Sequence, residues 1–340
     1  MNVKAKRRAA VPKAVRQESP DAAKEAGEGG GQEAAETGPA RFAAGSLTLS
    51  EHLPESRFVR LEVPCGNFLP CNPSIAKDDA GNLAVMVRCV NYLLGDEDGI
   101  WFRDDPGPNT HNYFGFLDAN LKQSEFRFID DVEIRRMRPP ARDGLEDGRL
   151  FWWEGDWWFI CTALHHGPRV RGTMALSRLR DYRAGHFEFL HSPHGREVEK
   201  NWAPCVDGKT LSTVYSHHPA ETYELAPARR RLHIDSFHPL EGWSGGSQLI
   251  RYGDMWASVI HQRRKHKNRV YYVHRVVRYD NNLAPAHVGR EFYFRGNQVE
   301  FCAGLVEHEG DYILSFGVKD CEAWLVRLTS SQFASLLDSQ

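Results

Sequence analysis

Beyond its first 45 or so residues this chain alternates apolar and polar positions, and five times the alternation wraps a glycine in the same way. The copies are NPSIAKDDAGNLAVMVR from Asn72, EDGRLFWWEGDWWFICT from Glu146, EKNWAPCVDGKTLSTVY from Glu199, SGGSQLIRYGDMWASVI from Ser244 and FCAGLVEHEGDYILSFG from Phe301. In each copy the glycine (Gly81, Gly155, Gly208, Gly253, Gly310) stands nine residues after the first residue. Period-two alternation on both sides of a residue tolerant of positive φ describes two antiparallel strands joined by a tight turn, so each phrase predicts a β-hairpin. The glycines are 74, 53, 45 and 57 residues apart, room for two further strands per unit, which is the size of a four-stranded propeller blade. The expectation is an all-β fold, a single five-bladed β-propeller over residues 46–340. Too little chain follows the fifth phrase for four strands, so the alternating segment Arg57–Pro64 is expected to complete the last blade.

Residues 1–45 differ in kind, with a basic start, MNVKAKRRAAVPKAVR, and then an acidic stretch rich in Gly and Ala without aromatics. Such a segment buries too little apolar surface to offset its ordering entropy and reads as a disordered tail. No apolar run follows its cations, which argues against a secretory signal, and no apolar stretch anywhere is long enough to cross a bilayer as a helix. The formal net charge of -2 gives no electrostatic case for nucleic acid or an anionic membrane as partner. Seven cysteines, odd in number and without a C-x-x-C pair, read as buried free thiols of a cytoplasmic protein. Neither metal-ligand spacing nor a glycine-rich phosphate loop occurs, so no metal and no cofactor is expected.

Hairpin geometry says where chemistry can gather. Each turn glycine marks one end of a hairpin, so the residues opening the first strand and closing the second meet at the other end, around the channel. The openings supply Asn72, then Glu146, Asp147 and Arg149, then Glu199, Lys200 and Asn201, then Gly245 and Gly246, then Cys302. The closings return Arg88 and Asn91, Thr162 and His165, Tyr215 and His217, His261, and Asp320. Ionisable and hydrogen-bonding groups this dense in one depression are expected of a binding or catalytic site. Segments Leu93–Asn112, Arg135–Gly144 and Arg263–Arg269 are expected as loops on the same face, either as solvated charge runs or as phosphate-holding rims. Among the tryptophans, Trp152, Trp153, Trp157 and Trp158 read as packing between adjacent blades, whereas Trp202 and Trp243 are balanced between packing and stacking on a sugar.

These residues also carry a resemblance. L-E-D-G-R-L at Leu145 resembles the E-D-P-R signature of the glycoside hydrolase family 130 mannoside phosphorylases and their relatives. E-K-N-W-A-P with V-Y-S-H-H-P, the blade-four run G-G-S-Q-L-I-R-Y-G-D-M-W-A-S-V-I-H, and L-S-F-G-V-K-D-C are similar to further motifs of that family, in order, over roughly Asn72 to Leu328. The resemblance implies a five-bladed propeller that transfers a mannose-like sugar with inversion, with Asp147 as the single catalytic acid or base. The alternative for Asp147 is a structural bond to Arg149. Among the converging residues, the substrate-binding candidates are Asn72, Arg88, Glu146, Arg149, Asn201, Trp202, Tyr215 and Asp320, and the phosphate- or nucleotide-binding candidates are Lys200, His218, His261 and Arg263. His218 stands where the phosphorylases carry an arginine before proline, and Gln262 replaces the glycine after the blade-four histidine. These departures shift the expectation from phosphorolysis toward an inverting glycosyltransferase using a sugar-phosphate or nucleotide-sugar donor and a carbohydrate acceptor. A β-mannoside phosphorylase or hydrolase, and a non-catalytic carbohydrate-binding propeller, remain the competing readings.

Overall fold

The computed structural model describes residues 47–94, 100–102, 109–137, 143–166, 170–235, 238–266, 269–296 and 299–338; the expected tail, residues 1–45, lies outside them. Strands β1 (Leu47–Thr48) and β2 (Phe58–Arg60) come first and join sheets formed later in the chain. Next come β3 (Leu69–Lys77), β4 (Leu83–Val90), a side hairpin of β5 (Tyr92–Leu94) and β6 (Ile100–Phe102), then β7 (Thr110–Leu117) and β8 (Arg127–Phe128); β3, β4, β7 and β8 pair in that order. A second four-stranded sheet holds β9 (Leu145–Trp153), β10 (Asp156–His166), β11 (Val170–Arg180) and β12 (Arg183–Leu190). A third holds β13 (Ala203–Asp207), β14 (Thr210–His217), β15 (Ala220–Ala226) and β16 (Arg230–Asp235). A large sheet follows, with β17 (Ser244–Gly245), β18 (Ile250–Tyr252), β19 (Met255–His266), β20 (Arg269–Tyr279), β21 (Pro285–Val288) and β22 (Phe292–Tyr293). The last sheet contains β23 (Glu300–His308), β24 (Asp311–Val318) and β25 (Glu322–Leu328).

The fold is all-β with a propeller arrangement. Each predicted hairpin forms at its phrase, and the five turn glycines take φ of 85°, 78°, 59°, 63° and 83° in chain order, the left-handed region that the turns require. Four sheets have the four-stranded form of a blade, one fewer than the five expected. The fourth phrase lies instead in a seven-stranded sheet. Its inner strand breaks between β17 and β18 because the backbone there serves neighbours: Gly246 O accepts from Arg149 Nε at 2.9 Å and Leu249 N donates to Pro204 O at 2.8 Å. The outer edge is likewise divided into β21 and β22, and β1 adds to β22 in parallel.

Apolar residues fill the spaces between successive sheets, since the in-and-out alternation of each strand presents a hydrophobic face to each neighbour. Trp157 meets Phe114 of the preceding sheet at 5.8 Å, and Trp153 and Trp158 share a core with Leu211 and Tyr215 of the following one, as expected for those tryptophans. The ring is closed by β2, which pairs antiparallel with β25 through Phe58↔Val326 and Arg60↔Trp324, so the segment predicted to complete the last blade does so. Phe58 is buried edge-on to Phe316, 6.5 Å away. Beside it, Leu61, Ile75 and Val85 pack with Ile313 and Leu325, joining the last sheet to the first. Phe58→Ala should therefore lower the unfolding free energy by about 3 kcal/mol in urea titration; a loss below about 1 kcal/mol would show that the ring does not depend on this strand.

Candidate active site

Three strand openings depart from regular pairing at the same end of the channel. Register shifts occur between Cys71 and Ser74 of β3, opposite the Glu146–Arg149 stretch of β9, and between Cys302 and Gly304 of β23. Bulges of this kind bend the strand and re-aim side chains. Here they accompany left-handed backbones at residues other than glycine: Asn72 at φ 44°, Asp147 at 47° and, just before β13, Asn201 at 63°. Such conformations persist only when surrounding contacts over-determine them. Asn72 seats closely against Gly317, where an added Cβ would lie 2.1 Å from its Oδ1.

The side chains form one network. Asn72 Nδ2 donates to Asp147 Oδ1 at 2.9 Å and to Asp320 Oδ1 at 3.3 Å, bridging two carboxylates. Arg88 Nη1 donates to Asp147 Oδ1 at 2.9 Å, and its Nη2 to Glu146 Oε1 at 2.6 Å and to the Tyr92 hydroxyl at 3.0 Å. That hydroxyl donates to Asp320 Oδ2 at 3.0 Å. The Lys200 ammonium stands 3.6 Å from Glu146 Oε2. Arg149, fully buried, donates to the Asp147 backbone carbonyl at 2.6 Å, to Asn201 Oδ1 at 2.9 Å and to Gly246 O, and lies over the Phe301 ring at 5.2 Å.

Electrostatics separates the carboxyls. Burial raises the pKa of Asp147, but the guanidiniums of Arg88 and Arg149, the Asn72 amide and Lys200 more than reverse it and hold Asp147 at about 2. Asp320 goes the other way: burial pushes it up, with the Asp147 and Glu146 charges adding to the rise and Arg88 and the Tyr92 hydrogen bond opposing it. Two carboxyls on one amide thus differ in acidity, the pattern of a site in which one group accepts a proton more readily than its neighbour.

Of the residues expected here, Asn72, Arg88, Glu146, Asp147, Arg149, Lys200, Asn201 and Asp320 come together. The others do not. Trp202 is 2 % exposed, donates to Glu199 at 3.1 Å and packs edge-on against Tyr215, and Trp243 is buried beneath Arg275, so neither presents a face to a sugar. Tyr215 is buried with its hydroxyl on Glu199 at 3.1 Å. His261 is buried and stacked on Tyr272 at 5.0 Å; burial, followed by the Arg149 charge, lowers it to about 3, so it is a neutral ring rather than a phosphate-holding cation. His218 lies in the turn between β14 and β15, and Arg263 lies on β19 opposite Tyr272. The expected loop Arg263–Arg269 is mostly strand, running up β19 and down β20, and Arg264 there grips Glu291 with two bonds of 2.8 and 2.6 Å. Residues 95–99, 103–108 and 138–142 of the other two expected loops lie outside the described residues. Tyr92 escaped sequence reasoning; it sits on the side hairpin rather than in a phrase, and only its position one residue after Asn91 pointed to it.

No protein-family model and no curated protein matches the sequence. The fold has clear likenesses among solved structures. A GDP-Man-dependent mannosyltransferase from Leishmania mexicana matches with a TM-score of 0.54 at 14% identity, over 80% of this chain and 89% of that one. A β-1,2-mannobiose phosphorylase from Listeria innocua matches at 0.53 and 11%, over 84% and 98%, and a glycosyl hydrolase from Bacteroides ovatus at 0.51 and 12%, over 78% and 85%. At these identities the likeness is one of fold, and the fold is one used by carbohydrate-processing enzymes.

A separate depression of about 220 Å³ opens at the other end of the channel, lined by residues such as Lys77, Trp152, Gln248, Arg251 and Glu307. Its charges are neutralised locally, Lys77 by Glu307 at 2.6 Å and Arg251 by Asp207 at 3.0 Å, and it contains none of the groups described above. The ionisable cluster described above therefore lies apart from this depression, at the Asp147 end. Among the described residues no helix is long and apolar enough to cross a membrane.

Two buried imidazoles make stability depend on pH. His217, bonded to the Tyr279 hydroxyl at 2.9 Å, is lowered to about 4 by burial, and His261 to about 3. Both stay neutral in the folded protein while the unfolded chain takes up protons near pH 6.5, so stability should fall as pH drops from about 6.5 toward those lower values. Urea unfolding of His261→Phe at several pH values should show this dependence reduced by about 1.4 kcal/mol per pH unit between pH 6 and 4, one proton's worth; an unchanged slope would mean that His261 titrates normally.

Proposed function

We propose that this protein is an inverting glycosyltransferase acting on a mannose-like sugar donor that carries a phosphate or nucleotide leaving group. The observation that carries the reading is the position of the Asp147 carboxylate at the axial opening, 2.9 Å from both Arg88 Nη1 and Asn72 Nδ2, where the neighbouring cations hold its pKa at about 2. A group ionised at neutral pH suits a general base: it takes the proton of the attacking acceptor hydroxyl as the new bond to the sugar forms, while the diphosphate departs with its bonding electrons and needs no acid. A phosphate held by Lys200 would add negative charge beside Asp147 and move its pKa up toward the operating range, so that donor binding strengthens the base. Asn72 and Asp320, with amide and carboxyl groups, are suited to hold sugar hydroxyls, and Arg88 orients Asp147 through its guanidinium. Fold likeness to carbohydrate-processing enzymes agrees with this substrate class.

One observation favours a second reading. Asp320, whose pKa burial raises and which Asn72 bridges to Asp147, is the candidate for the general acid that a β-mannoside phosphorylase or hydrolase requires at the departing glycosidic oxygen. Product analysis with and without inorganic phosphate separates the two.

A thermal-shift screen of nucleoside diphosphate sugars should select a donor. With that donor, Asp147→Asn should lower turnover by about 100- to 10000-fold while the protein stays folded; near-normal turnover would remove Asp147 from the mechanism. Lys200→Ala should weaken nucleoside diphosphate and phosphate binding about tenfold or more in calorimetry and leave binding of neutral sugars unchanged. Equal affinity in variant and native protein, or no binding by either, would turn the reading to hydrolysis or sugar recognition.

A further inference from the structure

Tyr92 lies outside the five hairpin phrases, yet its hydroxyl stands between two charged groups of the candidate active site. The chain bends at Asn91 between β4 and β5, and the bend is fixed from both sides: Asn109 N donates to Asn91 Oδ1 at 2.7 Å, and Asn91 N donates to Asn109 O at 3.3 Å. Tyr92 follows directly, buried with Cys71 and Val90. Its hydroxyl accepts from Arg88 Nη2 at 3.0 Å and donates to Asp320 Oδ2 at 3.0 Å. A guanidinium can only donate, so the direction of both bonds is settled and the hydroxyl proton turns to the carboxylate. The other oxygen of Asp320 accepts from Asn72 Nδ2 at 3.3 Å. Asp320 sits in the tight turn between β24 and β25, where Lys319 and Asp320 take left-handed φ of 51° and 50° and Lys319 N donates to Val299 O at 2.7 Å. Its backbone is thereby fixed, and each of its oxygens faces a donor.

We propose that Tyr92 is a positioning residue that holds Asp320 as a hydrogen-bond acceptor, leaving Asp147 as the working base and the site without a resident acid. The proposal rests on the transferase reading, in which the leaving diphosphate needs no proton. It also states a donor class: sugars whose leaving group departs as a stable anion, and not alkyl glycosides, whose leaving oxygen must be protonated. The hydroxyl acts against a definite opposition. Burial favours the neutral form of Asp320, and the carboxylates of Asp147 and Glu146 on β9 add to it; Arg88 on β4 and the Tyr92 bond favour the charged form. Cys71 of β3 and Cys321 beside it in the chain also face Asp320, and burial pushes both thiols up, so neither adds charge at neutral pH. Tyr92→Phe keeps the ring in its apolar surroundings and removes only the donor, while Arg88 retains Glu146 at 2.6 Å and Asp147 at 2.9 Å.

The test uses the full chain, labelled at the aspartate carboxyl carbons for NMR, with the Asp320 signal assigned by its loss in Asp320→Asn. In the native protein Asp320 should be ionised at neutral pH. In Tyr92→Phe its titration midpoint should rise by about one pH unit or more, the effect of losing one hydrogen bond to a charged group. An unchanged or lower midpoint in the variant, or a native Asp320 that is protonated at neutral pH, would overturn the proposal. The native protein should also leave methyl β-mannoside intact, with and without inorganic phosphate, while it turns over a nucleoside diphosphate mannose; cleavage of methyl β-mannoside would reveal a resident acid and overturn it equally. Both measurements on the native protein stand even where Tyr92→Phe does not fold. A raised midpoint in Tyr92→Phe together with no turnover of any sugar donor by the native protein supports the hold of Tyr92 on Asp320 and counts against the transferase reading, so the two fail separately.

Discussion

Arg149 is fully buried, and its guanidinium reaches three sheets at once: the Asp147 carbonyl of its own strand, the Asn201 side chain ahead of β13 and the Gly246 carbonyl between β17 and β18, with the Phe301 ring of β23 beneath it. A buried charge is costly unless it is neutralised and its donors are met. Here Asp147 supplies the countercharge, and the oxygens that meet the donors come from openings far apart in the chain. The strand openings are thereby drawn to one point on the axis. The break in the inner edge of the large sheet is part of the same arrangement, because Gly246 directs its carbonyl to Arg149 rather than into a continuous inner strand.

From this strut follow the strained backbones and the unequal acids. Asp147 and Asn201 take left-handed conformations in the places where Arg149 holds them, and Asn72, equally left-handed, is fixed by its bonds to Asp147 and Asp320. Strain of about 1 to 3 kcal/mol at such a residue is tolerated when several contacts agree on it. The aspartates then diverge through their neighbours. Asp147 lies among cations and stays ionised, whereas Asp320 receives neutral donors from Asn72 and Tyr92 and faces the charge of Asp147.

The histidines set the other boundary of the site. His217, His261 and His274 all lose their charge to burial and serve as packed rings between sheets, so the cationic character at this end rests on Arg88, Arg149 and Lys200. An imidazole enclosed by Tyr272 and Phe301 contributes shape and aromatic contact, and its proton affinity is too low to attract phosphate near neutral pH.

Much of this was legible along the chain. Alternation around Gly81, Gly155, Gly208, Gly253 and Gly310 marked the five hairpins of those phrases because a strand's period and a turn's φ requirement are local, set by a few consecutive residues. The same geometry brought Asn72, Asp147, Lys200 and Asp320 to one end of the channel, since the end of a hairpin opposite its turn is also determined locally. What the residues around that point do to one another was decided only by the folded ring. Whether Trp202 faces ligand or core, whether His261 carries charge, and where the large sheet gains β1 and loses continuity depend on burial and on partners from distant sheets. Alternation records that a side chain leaves one face of a strand; the neighbouring sheet decides whether water, a ligand or another core lies there, and with it the dielectric and charge that set each group's chemistry.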